Sequence, residues 1–153
     1  MPKIKKLVKA ICNRFNLSNA TVSIAIFDDT QMREFNAQFT NRKSTTDCLS
    51  FDLSNDENRK SKTCGERSRT IANRKLFEIV VNGELALKEA NLRGHSGEAE
   101  LALYITHGLL HNLGFKDSTS KQAKIMHDAE DEILQQFGYG LVYNKNKRIS
   151  NIE

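Results

Sequence analysis

Residues 96 to 117 read SGEAELALYITHGLLHNLGFKD. Ser96 is a capping residue type, and the apolar Ala99, Ala102, Leu103, Ile105, Leu109, Leu110 and Leu113 then fall on almost every side of a helix running to about Leu113. A helix that is apolar all round is surrounded by protein, so this segment is expected at the centre of the domain. Gly114 is placed to end it, because glycine accepts the left-handed backbone conformation that stops a helix and turns the chain. His107 and His111 are four residues apart on this helix, so their imidazoles share a face and can be directed at one point. The turn at Gly114 can bring the Asp117 carboxylate back toward that point as a third ligand. Two imidazoles on an otherwise apolar helix are awkward to bury unless something satisfies them, and a metal does so. Zinc accepts histidine nitrogens and carboxylate oxygens, and three protein ligands leave a fourth position for water, which is the arrangement of a catalytic site. One zinc ion on His107, His111 and Asp117 is the expectation.

Other roles compete at these positions. Asp117 lies in DSTS, where it can instead cap the following helix. His95 and His127 are substitute ligands; His127 is expected on the solvent side of the last helix, near Glu130 and Asp131. The spacing also resembles HExxH, in which the glutamate after the first histidine is the general base of a peptidase. Here that position is Gly108, and the nearest upstream acids, Glu98 and Glu100, lie two turns or more back, which counts against peptide hydrolysis.

Outward from the central helix, Ile4, Leu7, Val8, Ile11 and Phe15 mark an amphipathic helix over residues 3 to 15. ATVSIAIF (20 to 27) alternates like a strand, and DDT then caps a helix carrying Met32, Phe35 and Phe39. CLSFDLS puts Leu49, Phe51 and Leu53 on one face of a second strand, and FEIVVN (77 to 82) is a third. Residues 54 to 76 show no apolar periodicity and are expected to form a mobile basic loop with room for a short edge strand. GELALKEANL reads as a helix ended by Gly94, and a last helix from about Ser120 to Phe137 turns Met126, Ala129, Ile133 and Phe137 inward. Residues 1 to 140 form one domain in this reading, with 141 to 153 a flexible basic tail.

At 153 residues, with 39% hydrophobic and 27% charged content, the chain suits a single globular core. It has no apolar run of membrane-spanning length and no signal-peptide pattern. Cys12, Cys48 and Cys64 are odd in number and lack CxxC spacing, which fits a reducing, cytoplasmic setting. The formal net charge is +4, with basic residues crowding the first helix, the 54 to 76 stretch and the tail, a mild excess that solvated faces and a flexible terminus account for on this pattern alone.

Three motifs in order, TTDCLSFDL (45 to 53), HGLLHNLGF (107 to 115) and MHDAEDEIL (126 to 134), with EFNAQF (34 to 39) upstream, resemble the YbeY family of bacterial metal-dependent endoribonucleases, also described as ribosomal RNA maturation factors. The resemblance covers roughly residues 20 to 140. It implies a single α+β domain, here expected as a mixed four-stranded sheet packed with about five helices, the central apolar helix carrying the metal ligands. It further implies a zinc-dependent, single-strand-specific endoribonuclease acting in rRNA maturation and ribosome quality control, with ribosomal subunits or assembly proteins as partners. Carried over, His107 and His111 are metal ligands and Asp117 stands where the family usually has a third histidine, a harder ligand that loosens metal choice. The family's aspartate before that ligand is Lys116 here, its arginine upstream of the TD motif falls on Thr40 with Arg42 two residues later, and its Gly-Asp pair before the third strand is Phe77 and Glu78. Arg42, Lys43 and Lys116 are the candidates for RNA phosphate contact. Asp47 either caps a turn or orients a ligand histidine. The Thr40 and Lys116 departures leave a second reading, a ribosome-assembly RNA-binding factor with weak or lost catalysis.

Overall fold

A computed structural model describes residues 2–54 and 74–140. Within them run α1 (Pro2–Arg14), β1 (Ala20–Phe27), α2 (Asp29–Thr40), β2 (Cys48–Asp52), β3 (Lys75–Asn82), α3 (Gly83–Arg93), α4 (Gly97–Asn112) and α5 (Ser120–Gln136). The architecture is α+β, with five helices and a mixed sheet.

The sheet is ordered β1-β3-β2, with β3 parallel to β1 and antiparallel to β2. Among the described residues it has three strands where four were expected. The expected fourth belonged to the 54 to 76 stretch, of which 55–73 lie outside the described residues, as does the expected tail at 141 to 153. β3 also starts two residues earlier than its apolar run suggests, because Lys75 and Leu76 register with Ala20 and Thr21 of β1. Pairing with a neighbour, not apolar content, sets that end.

β3 is covered on both faces, as suits a central strand. Phe77, Ile79 and Val81 join the main core with Leu109 and Leu110 of α4. Val80, of opposite parity, is buried on the other side, where Phe35 of α2 makes edge contacts with Phe27 and Phe51. Phe77 is thus a core residue, whatever stands there in relatives. α1 adds Ile4, Leu7 and Ile11, and α5 adds Met126, Ile133 and Leu134, to the same buried cluster as the apolar residues of α4.

Asn82 ties the site-bearing end of the sheet together. Its Oδ1 accepts from the backbone N–H of Leu85 at 2.9 Å, capping α3, while its Nδ2 donates to Asp29 Oδ1 at 3.1 Å and Thr45 Oγ1 at 3.0 Å. One fully buried amide therefore joins β3, α3, the start of α2 and the connection that leads into β2. Asn82→Ala removes a cap and the amide that links these elements, and is expected to lower unfolding free energy by about 1–2 kcal/mol in urea titration.

Candidate metal centre

α4 begins where the sequence indicates, with the Ser96 side chain accepting from the Ala99 N–H. Its far end is a Schellman closure: Phe115 N–H bonds the Leu110 carbonyl at 3.0 Å and Gly114 N–H bonds that of His111 at 3.0 Å, with Gly114 at φ +99°. The chain doubles back as expected. Asp117 does not cap α5; Thr119 does, in a reciprocal capping box with Gln122. The Asp117 carboxylate is therefore left to face α4, its side chain 43% exposed.

His107, His111 and Asp117 each offer one ligand atom, all within 4.8 Å of one another, a set that could hold a metal ion. The Asp117 Oδ2 atom lies 3.5 Å from His111 Nε2 and 3.8 Å from His107 Nε2, and the two Nε2 atoms are 3.0 Å apart. The opposite ring atoms are committed elsewhere. His107 Nδ1–H donates to Glu130 Oε1 at 2.6 Å, and His111 Nδ1–H donates to the Phe115 carbonyl at 3.1 Å. With each ring's proton held on Nδ1, both Nε2 lone pairs point at the same small space beside a carboxylate oxygen. Two facing lone pairs repel, and either a proton or a metal ion between them relieves that repulsion; with the Asp117 carboxylate beside them, the donor set also fits a metal such as zinc.

Glu130 is the residue that sequence reasoning missed. It is fully buried on α5, and its second oxygen, Oε2, accepts from His127 Nδ1 at 2.9 Å. His127 is therefore not on the solvent side of α5: its side chain is 18% exposed and its ring lies nearly parallel to His107, at 13° and 6.5 Å between centroids. The reason is helical register. Glu130 shares the inward face with Met126, Ile133 and Leu134, and a residue three positions earlier lies on that face too. The His127–Glu130 spacing was the available signal, since a carboxylate behind a histidine is the usual support for a metal-binding imidazole. His95 is not at the centre; its Nε2 pairs with Glu100.

Burial alone would push the His107 imidazole down, but the Glu130 hydrogen bond and the charges of Glu130, Asp47 and Asp117 outweigh it and hold its pKa above the ordinary histidine value. Asp47 acts through space in this way while its Oδ1 accepts from the Cys48 N–H at 2.7 Å, a turn-capping role at the start of β2. Burial, then the neighbouring charges of Asp47, Glu130 and Asp117, raise the Cys48 thiol well above its usual range, which favours its protonated form.

Gly108 lets α4 lie close on the sheet. A Cβ there would stand 3.1 Å from Ile79 Cγ2 and 3.5 Å from Ser50 Cβ. The position that carries the general base in HExxH thus faces the sheet and not the His107, His111 and Asp117 cluster. Gly108→Glu, which completes that motif, is expected to cost at least about 3 kcal/mol of stability by forcing a carboxylate against Ile79, and to confer no peptidase activity in a casein assay.

A cleft of about 450 Å³ opens beside His107, and Thr46, Asp47, Tyr104 and His127 are among its lining residues. Arg42 and Lys43 are exposed at the start of the connection whose far end, Thr46 and Asp47, forms part of this wall. Lys116 is exposed next to Asp117. Thr40 donates its hydroxyl to the Asn36 carbonyl at 2.8 Å and is confined to α2.

A model of the family described as Endoribonuclease YbeY matches residues 2–138. The chain belongs to this family. Among relatives named Endoribonuclease YbeY, that of Thermoanaerobacter sp. is 28% identical over 138 residues, covering 90% of this chain and 87% of its own. The Persephonella marina protein is 29% identical over 133 residues, covering 86% and 80%. A Thermotoga maritima protein solved in solution shares the fold, with a TM-score of 0.58 at 20% identity over 88% of this chain and 78% of its own. No described helix is long and apolar enough to cross a membrane.

Proposed function

We propose that the protein is a zinc-dependent endoribonuclease that cuts single-stranded RNA, acting in the cytoplasm on ribosomal RNA during its maturation and in ribosome quality control, with one zinc ion held by His107, His111 and Asp117. Membership of the YbeY endoribonuclease family supports the nuclease part. The observation that carries the metal part is the pair of Nε2 atoms facing each other at 3.0 Å with both Nδ1 protons committed.

Zinc bound there supplies Lewis-acid polarisation of a phosphate oxygen and a water acidic enough to act near neutral pH. The chain's own residues set the stage for that chemistry. Glu130 and the Phe115 carbonyl hold the ring protons on Nδ1 and so keep both Nε2 atoms available. Asp117 stands on the solvent side, where a strand can approach. Arg42, Lys43 and Lys116 draw in the phosphodiester backbone, an attraction that weakens with salt. Ribosomal subunits and assembly proteins are the partners that fit this reading.

The test is cleavage of one labelled RNA sequence, single-stranded and as a duplex, before and after chelation. Cutting of the single strand alone, lost on chelation and restored by zinc, is expected. RNA binding with no cleavage under any metal would instead support the assembly-factor reading, which the absence of a cation at Thr40 favours.

Acidification provides a further check. A pKa raised on folding stabilises the metal-free protein below the ordinary imidazole value of about 6.5, and that contribution is lost as pH rises through the folded value. Zinc competes with the same proton and is favoured in the opposite direction. Between about pH 8 and pH 6 the gain in Tm conferred by zinc is therefore expected to shrink, as thermal melts with zinc and with chelator would record.

A further inference from the structure

Resting on the nuclease reading above, we propose that the cleft beside His107 is a base pocket that takes an unstacked guanine from the RNA strand. The cleft is lined by four carboxylates, Asp47, Glu89, Glu100 and Glu130, and among the described residues Arg93 is the one lysine or arginine on its wall. Such a surface repels a phosphate and accepts the part of a nucleotide that carries N–H donors.

Two details narrow the choice of base. Glu100 is fully buried, yet its Oε1 atom has no hydrogen-bond partner. The Arg93 guanidinium lies between acceptors, 3.5 Å from Glu100 Oε1 and 3.4 Å from Glu89 Oε2. Donor beside acceptor is the complement of the guanine edge, in which O6 accepts while N1–H and the N2 amino group donate. Uracil offers a single N–H between two acceptors, and adenine and cytosine offer one amino group beside a bare acceptor nitrogen. The Arg93 and Glu89 side chains are 41% and 29% exposed, so a base entering from solvent meets them first.

Register places this pocket at a useful distance from the metal centre. Glu100 and His107 are seven residues apart on α4, about 10 Å along the axis, and lie on one helix face. That separation suits a base in the pocket with a neighbouring phosphate of the same strand at His107 and His111. Tyr104, between them on that face, also lines the cleft; burial and then the Glu100 charge hold its hydroxyl protonated.

The experiment is fluorescence anisotropy of labelled octauridylate, and of octauridylates with one central G, A or C, bound to the full chain in chelator so that no cleavage intrudes. The G oligomer is expected to bind about tenfold tighter than the other three. Glu89→Gln, which removes one acceptor at a partly exposed position, and Arg93→Lys, which keeps the charge beside Glu100 but loses the fork, are each expected to reduce that preference to about twofold or less, with thermal melts showing both variants folded. Equal affinity for all four oligomers, a preference for A or C, or a G preference unchanged in both variants would overturn the proposal. The nuclease reading fails separately: zinc-loaded protein that cuts none of these RNAs overturns that reading even where the G preference in binding persists.

Discussion

His111→Ala and His107→Ala are each expected to take zinc from near one ion per chain to below about a tenth, by elemental mass spectrometry, and to lower single-strand cleavage by at least about a thousandfold. Either change leaves two donors of a three-donor set, and with them too little affinity to retain the metal through purification. The two variants differ in an informative way. His107 is also the partner of buried Glu130, so its loss leaves Glu130 Oε1 without its donor and is expected to cost the metal-free protein about 1–3 kcal/mol. His111 donates only to the partly buried region of the Phe115 carbonyl, and its removal should leave the metal-free melting curve nearly unchanged. Zinc retained at full stoichiometry in His111→Ala would exclude the three-residue site.

Glu130→Ala carries the second large effect. It strips the acceptor from His107 Nδ1 and His127 Nδ1 at once, in a position that water does not reach. Freed of its carboxylate, the His107 ring loses both its fixed tautomer and part of its basicity, so zinc affinity measured against a competing chelator is expected to fall about 10–100-fold. Stability should fall by about 3 kcal/mol in urea, because a buried pair is broken from one side. Glu130→Gln keeps one acceptor oxygen but turns an amide toward the other imidazole, and is expected to fall between wild type and Glu130→Ala on both measures. Unaltered zinc affinity in Glu130→Ala would show that the carboxylate supports the fold alone.

Much of the architecture is legible in local pattern. The apolar spacing of α1, the alternation in β1 and β2, the cap at Ser96 and the stop at Gly114 all appear where the residues indicate. The convergence of His107, His111 and Asp117 is legible for the same reason: four residues of helix and one glycine turn make it a short-range event. His127 was misplaced because helix periodicity identifies an inward face only by its apolar residues, and here a glutamate occupies that face. A buried carboxylate looks like a solvent residue until its partners are known.

Helix ends, strand alternation and the spacing of two histidines follow from forces that act within a few residues: capping bonds, backbone preference and side-chain period. Strand order is different. That β3 lies between β1 and β2, and so is buried on both faces, arises from pairings between segments far apart in the chain. The same holds for the support of the candidate metal centre, since Glu130 reaches His107 across 23 residues only because α5 packs on α4. It holds again for the cleft, where Arg93 at the end of α3, Asp47 at the start of β2 and Glu130 of α5 are brought to one wall by burial of apolar surface that none of those residues contributes.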